Sequence, residues 1–154
     1  MEWITRSLEN QFDAIVQKGK VLVVYGARRV GKTSVIEKFL KSSNRKIFAG
    51  TGDDVDLRNI LSSENKVRIT TSFSGYEVVF IDEAQRIPNI GWGLKLLVDS
   101  NPEISVIASG SSSFELLNKV GEPLTGRQTL YNLYPVSMME LSELAGRIHI
   151  IQNL

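Results

Sequence analysis

The stretch Val21-Leu22-Val23-Val24-Tyr25-Gly26-Ala27-Arg28-Arg29-Val30-Gly31-Lys32-Thr33-Ser34 constrains this chain more than any other. A short apolar, β-branched run ends in glycine, the pattern of a strand buried on both faces of a parallel sheet. Gly26 to Thr33 then fits the spacing G-x-x-x-x-G-K-[ST]. Val35, Ile36, Phe39 and Leu40 form one apolar stripe, so a helix starts near Gly31 or Lys32 and runs until Ser42-Ser43-Asn44 interrupts it. Strand, glycine loop and helix in this order make a cradle for phosphates. Loop amides curl around the anion, Gly26 and Gly31 permit the close approach, and the helix start aims unpaired N–H groups at the same oxygens. Lys32 is placed to reach β and γ oxygens of a nucleoside triphosphate, Thr33 to ligate Mg²⁺ and Ser34 to touch the α-phosphate. Ala27, Arg28, Arg29 and Val30 complete the binding loop, and the two arginines enter no catalytic role. The bland alternative is a glycine turn followed by a solvated lysine, a coincidence expected in roughly one chain in two hundred of this length.

About 50 residues after Lys32, Val78-Val79-Phe80-Ile81 runs straight into Asp82-Glu83. Charges at the carboxyl end of a core strand are expensive unless used. Beside a phosphate loop, Asp82 holds the Mg²⁺ shell with Thr33, and Glu83 polarises an attacking water as general base. Ser109-Gly110-Ser111-Ser112-Ser113 follows the next strand, which brings one hydroxyl beside Glu83. Ser109 and Ser111 are the candidates to sense the γ-phosphate or orient water, although serine-glycine runs are also ordinary loops. Gly126-Arg127 precedes the last strand, where Arg127 could stabilise transferred charge across a subunit boundary or be a plain surface arginine. His149, the sole histidine, lies outside these clusters.

The rest of the chain reads as alternating elements. Leu8, Phe12, Ile15 and Val16 recur at helical spacing, predicting an amphipathic helix over 7–18 that stops at Gly19. Strands are expected at Lys46 to Ala49, Glu77 to Ile81, Ile104 to Ala108 and Thr129 to Leu133, and a short helix at 54–62. Lys66 to Gly75 is polar and ambiguous. Leu94, Leu97 and Val98 mark a helix weakened by Gly91 and Gly93. Ser112 with Glu115, and Ser137 with Glu140, fit the capping box that opens a helix. Strands alternating with helices imply one α/β domain with a mainly parallel sheet and helices on both faces.

Composition narrows the partners. The chain has 154 residues, the usual size of one domain, and a formal net charge of +1, which gives no reason to expect nucleic acid. Cysteine is absent, which excludes disulfides and thiolate metal sites. No apolar run approaches a membrane span and Met1-Glu2-Trp3 opens nothing like a cleavable signal, so the cytoplasm is the default location.

Five features together resemble the prokaryotic AAA+-like P-loop ATPases of the additional-strand class, especially those carrying a C-terminal domain of unknown function. They are GARRVGKTS at 26–34, VVFIDEAQRIPN at 78–89, IASGSSS at 107–113, LTGRQTLYNLYPVSMMEL at 124–141, and the helix before the first strand. The resemblance implies a three-layer α/β/α P-loop domain with a five-stranded sheet in the order 5-1-4-3-2. It also implies ATP as the nucleotide, Glu83 as the catalytic glutamate, a serine of 109–111 as first sensor and Arg127 as a finger. Such proteins continue into a helical lid and a further domain, so a chain stopping at Leu154 is expected to be a truncated product or fragment. A partner protein or another copy would then supply the missing elements. The segment between the second strand and Glu77 is short for the family, which leaves one helix of the usual core in doubt.

Two functional readings follow. One is an ATPase whose hydrolysis drives a conformational switch, using Lys32, Thr33, Asp82 and Glu83. The other is a nucleotide-binding module with little turnover because the chain is incomplete. A small-molecule kinase would need arginine-rich lid motifs and an acceptor pocket, neither of which can be located, and a DNA-acting motor a basic groove, which the near-neutral charge balance does not supply.

Overall fold

The computed structural model describes residues 6–111, 118–119, 122–136 and 140–141. Five strands form one sheet: β1 (Val21–Tyr25), β2 (Ile47–Thr51), β3 (Val78–Asp82), β4 (Ser105–Gly110) and β5 (Gln128–Asn132). Every ladder is parallel and the order is β2-β3-β4-β1-β5, the 5-1-4-3-2 arrangement expected. Parallel pairing needs crossovers, and the helices supply them: α2 (Lys32–Ser42), α3 (Val55–Leu61), α4 (Lys66–Ser72) and α5 (Ile90–Ser100).

Alternation along each strand splits the core into two layers. Val21, Val23, Val79, Ile81, Val106 and Ala108 face one side, where they pack with Leu57, Leu61, Ile69, Leu94 and Leu97 of α3, α4 and α5. Leu22, Val24, Val78, Phe80 and Ile107 face the other, against Val35, Ile36 and Leu40 of α2 and the N-terminal segment. The three central strands β3, β4 and β1 are therefore buried on both faces, as their apolar sequences require, while the edge strands β2 and β5 stay half-exposed.

Three elements differ from the sequence reading. The single helix expected over 7–18 is a 3₁₀ turn, Ser7–Asn10, followed by a one-turn α1, Phe12–Ile15. Leu8, Phe12 and Val16 are nevertheless buried at their helical spacing, so the apolar stripe was real and the helix hydrogen bonding was not continuous. The ambiguous polar stretch contains α4, capped by the Asn65 side chain on the Arg68 amide and anchored by buried Ile69. With α3, capped by Asp54 on Leu57, it places two helices between β2 and β3. Finally, α5 runs unbroken for 11 residues, its glycines buried rather than weakening it. A Cβ on Gly93 would lie 2.2 Å from the Leu61 carbonyl oxygen, so glycine there lets α3 and α5 touch.

The capping boxes expected at Ser112 and Ser137, and His149, fall outside the described residues. Glu140 is described. It is buried and accepts from the Ser7 amide at 2.8 Å, pairing also with the Arg6 guanidinium at 3.2 Å. No described helix is long and apolar enough to cross a membrane.

Candidate functional site

Because all strands are parallel, their carboxyl ends share one edge, and the loops leaving that edge converge. β1 exits into Gly26–Gly31, β3 ends at Asp82 and β4 at Gly110, with β4 lying between the other two. Gly26 lies close against the chain leaving β5: a Cβ there would sit 2.3 Å from the Leu133 carbonyl oxygen. Gly31 has φ +93° immediately before α2, a conformation that suits glycine. Arg29 also takes positive φ, at 64°. The loop thus turns through two positive-φ residues, Arg29 and Gly31, and leads directly into the first turn of α2.

A cavity of about 220 Å³ occupies this loop, lined by Arg28, Arg29, Gly31, Lys32, Thr33, Ser34, Glu83 and Ser111. A larger hollow beside Phe12 and Phe39, about 320 Å³, lies on the N-terminal segment and α2, away from the acidic strand end. Lys32 folds back into the loop, its Nζ donating to the carbonyls of Gly26 at 2.9 Å and Ala27 at 2.7 Å. Burial pushes its ammonium below the usual lysine range, while Glu83 and Asp82 pull it back up. Val30 is buried in the core, and its carbonyl accepts from the Arg6 guanidinium.

Asp82 is the centre of the polar network. One carboxylate oxygen accepts from Thr33 Oγ1 at 2.9 Å; the other accepts from Ser109 Oγ at 2.6 Å and the Glu83 amide at 3.0 Å. The strand register explains Ser109: one step beyond the Ile81–Ala108 pair, it stands next to Asp82. Glu83 takes a left-handed backbone, φ 49°, and its carbonyl presses on Gly52, where a Cβ would come within 2.2 Å. A non-glycine residue held in that region is stored strain of the kind that clusters at functional sites. The Glu83 carboxylate accepts from Ser111 Oγ at 3.3 Å and from Gln85 Nε2 at 2.5 Å.

The residues singled out from sequence therefore divide. Lys32, Thr33, Ser34, Asp82, Glu83, Ser111 and the two loop arginines are brought together. Ser109, expected as a candidate beside Glu83, is fully buried against Asp82 instead, and Ser111 is the hydroxyl that faces the cavity. Arg127 stands at the amino end of β5, where its carbonyl accepts from Val21 and its Nε bonds Asp99 at 2.6 Å. That is the opposite end of the sheet from the loop. Gln85 and Arg6 were not foreseen: both are polar, both are buried, and no spacing rule marks either.

The donor set fits Mg²⁺ with phosphate. A carboxylate and a hydroxyl already within hydrogen-bonding distance offer hard oxygens, and Mg²⁺ characteristically takes one or two protein ligands and completes its shell from water and phosphate. Among the described residues there is no group of three or more His, Cys, Asp and Glu placed to hold a metal ion.

The sequence profile described as AAA domain matches residues 18–142. The chain belongs to this family. No curated protein matches the sequence. Among solved structures, domain III of the Thermotoga maritima replication initiation protein DnaA superposes with a TM-score of 0.58 at 12% identity, covering 98% of this chain and 72% of that one. At such identity the likeness shows the fold alone: this AAA domain has the α/β P-loop architecture.

Proposed function

We propose that this AAA domain binds ATP with Mg²⁺ and hydrolyses it to drive a conformational switch. The observation that carries the reading is the convergence of Lys32, Thr33 and Glu83 on one cavity, with Asp82 bonded to Thr33 from the end of β3, one strand beyond β4. In this reading the Gly26–Thr33 amides wrap the phosphates, Lys32 leaves its two carbonyls for the β and γ oxygens, and Ser34 contacts the α-phosphate. Thr33 and Asp82 hold the Mg²⁺, which when bound neutralises charge on the phosphate oxygens. Glu83 accepts a proton as water attacks the γ-phosphorus and ADP leaves, with Ser111 orienting that water. Ser109 acts through Asp82. Arg127 meets a phosphate only in a neighbouring copy, which makes self-association or a partner protein part of the proposal, in a cytoplasmic setting.

A second reading is a nucleotide-binding module with little turnover. It is favoured by Arg127, which is bonded to Asp99 at the far end of the sheet from the chain's own loop.

The test is Mg²⁺-dependent ATP binding and single-turnover hydrolysis for the parent, Lys32→Ala and Glu83→Gln. Binding lost in the first variant, with binding kept and turnover lost in the second, establishes the ATPase. Binding without turnover in the parent establishes the module, and no binding at all removes both.

A further inference from the structure

We infer that Gln85 is a positioning residue that pins one oxygen of the Glu83 carboxylate so that the other is left to take the proton. The inference rests on the ATPase reading and deepens it.

Gln85 lies in the 3₁₀ turn Ala84–Arg86 and is only 5% exposed. The left-handed backbone at Glu83 starts that turn and folds the Gln85 side chain back toward the carboxylate. Its Nε2 donates to Glu83 Oε2 at 2.5 Å and lies 3.4 Å from Ser111 Oγ, which itself donates to the same Oε2 at 3.3 Å. Oε2 is thus doubly bonded by donors, whereas Oε1 has no hydrogen-bond partner among the described residues. A carboxylate held this way presents its proton-accepting lone pairs from one fixed atom, and geometry is the first requirement of a general base. The Lys119 ammonium donates to the Gln85 carbonyl and secures the turn from outside.

The amide's orientation has only one sense. Turned over, its oxygen would face the Glu83 carboxylate, acceptor against acceptor. Held as it is, Gln85 leaves its own Oε1 buried without a partner among the described residues. A buried orphan acceptor lowers stability, so a structural role alone does not account for glutamine here. Leucine fills nearly the same volume and carries no such penalty.

Gln85→Leu therefore separates the two roles. The expected result is single-turnover hydrolysis slowed at least about tenfold, with ATP affinity within about twofold of the parent and a Tm equal or higher. Turnover at the parent rate overturns the inference, and so does a loss matched by falling affinity or Tm. A second measurement needs no nucleotide: in the free protein, the Gln85 side-chain amide protons should exchange slowly with water by ¹⁵N NMR and lose that protection in Glu83→Ala. Exchange as fast as free glutamine overturns the pairing. A parent chain without turnover removes the ATPase reading and the role that rests on it, while the amide spectrum still decides the pairing by itself.

Discussion

Replacing Arg6 with methionine should destabilise this domain by about 3 to 5 kcal/mol, because Arg6 is a buried charge with three partners from two distant parts of the chain. Its Nε pairs with Glu140 at 3.2 Å, the two side chains being 6% and 8% exposed, and its other nitrogens donate to the carbonyls of Val30 and Tyr134. Removing one partner of a buried ion pair costs about 3–5 kcal/mol, since the remaining charge stays desolvated. Glu140 keeps the Ser7 amide at 2.8 Å and hydroxyl at 3.3 Å, which favours the lower end. Two carbonyls losing a charged donor add about 1 kcal/mol each if water does not reach them. Methionine retains most of the apolar stem, so the change reports charge and hydrogen bonding rather than a cavity. Urea titration followed by tryptophan fluorescence measures the loss, and a Tm lower by about 10 °C should accompany it. Glu140→Met alone should cost a similar amount, and the double variant about 2 kcal/mol less than the sum. A cost below about 1 kcal/mol for Arg6→Met, or strict additivity, would refute the argument.

Three further outcomes are expected. Thr33→Val should weaken ATP binding about tenfold in Mg²⁺ and leave binding in EDTA unchanged, read by nucleotide titration; an equal loss in both conditions would deny Thr33 its place at the metal. Gly93→Ala drives a Cβ to within 2.2 Å of the Leu61 carbonyl oxygen, so it should lower stability by about 1–3 kcal/mol, despite alanine's better helix propensity; a neutral or stabilising result by chemical denaturation would mean that α3 and α5 slide apart freely. The Lys32 ammonium titrates lower in the fold than in the open chain, so the unfolded state binds more protons between that lowered value and 10.5. The charge therefore opposes folding below that window, and the opposition fades as pH rises through it. Measured against Lys32→Met, the parent should gain stability with rising pH there, and a relative loss would contradict desolvation as the dominant cause.

Much of this architecture was legible because the central strands β1, β3 and β4 are short, largely apolar and buried on both faces. Val21–Tyr25 was read to the residue, and the other four strands within two residues at each end. The glycine loop after β1 and the Asp82-Glu83 pair closing β3 could be placed for the same reason, since each follows directly on a readable strand. What escaped notice depends on contacts between distant parts of the chain. Helix α4 buries little besides Ile69, so its stripe is too thin to stand out. The N-terminal segment keeps helical spacing while breaking helical bonding at Gln11, a distinction periodicity cannot make. Gln85 and Arg6 are ordinary polar residues in the sequence. Only their burial reveals them, and burial is a property of neighbours up to 134 residues away.

On the proposed reading, the two hydrogen bonds from Lys32 to its own loop carbonyls make nucleotide arrival a replacement rather than an addition. The loop carries a cation in its own mouth, held by two peptide carbonyls. An incoming ligand is rewarded only for the difference between phosphate oxygens and peptide ones as acceptors. On that reading a diphosphate offers Lys32 β oxygens alone, whereas a triphosphate offers β and γ oxygens together. Discrimination between spent and fresh nucleotide can thus begin in a competition internal to the protein, before any lid, sensor or neighbour takes part.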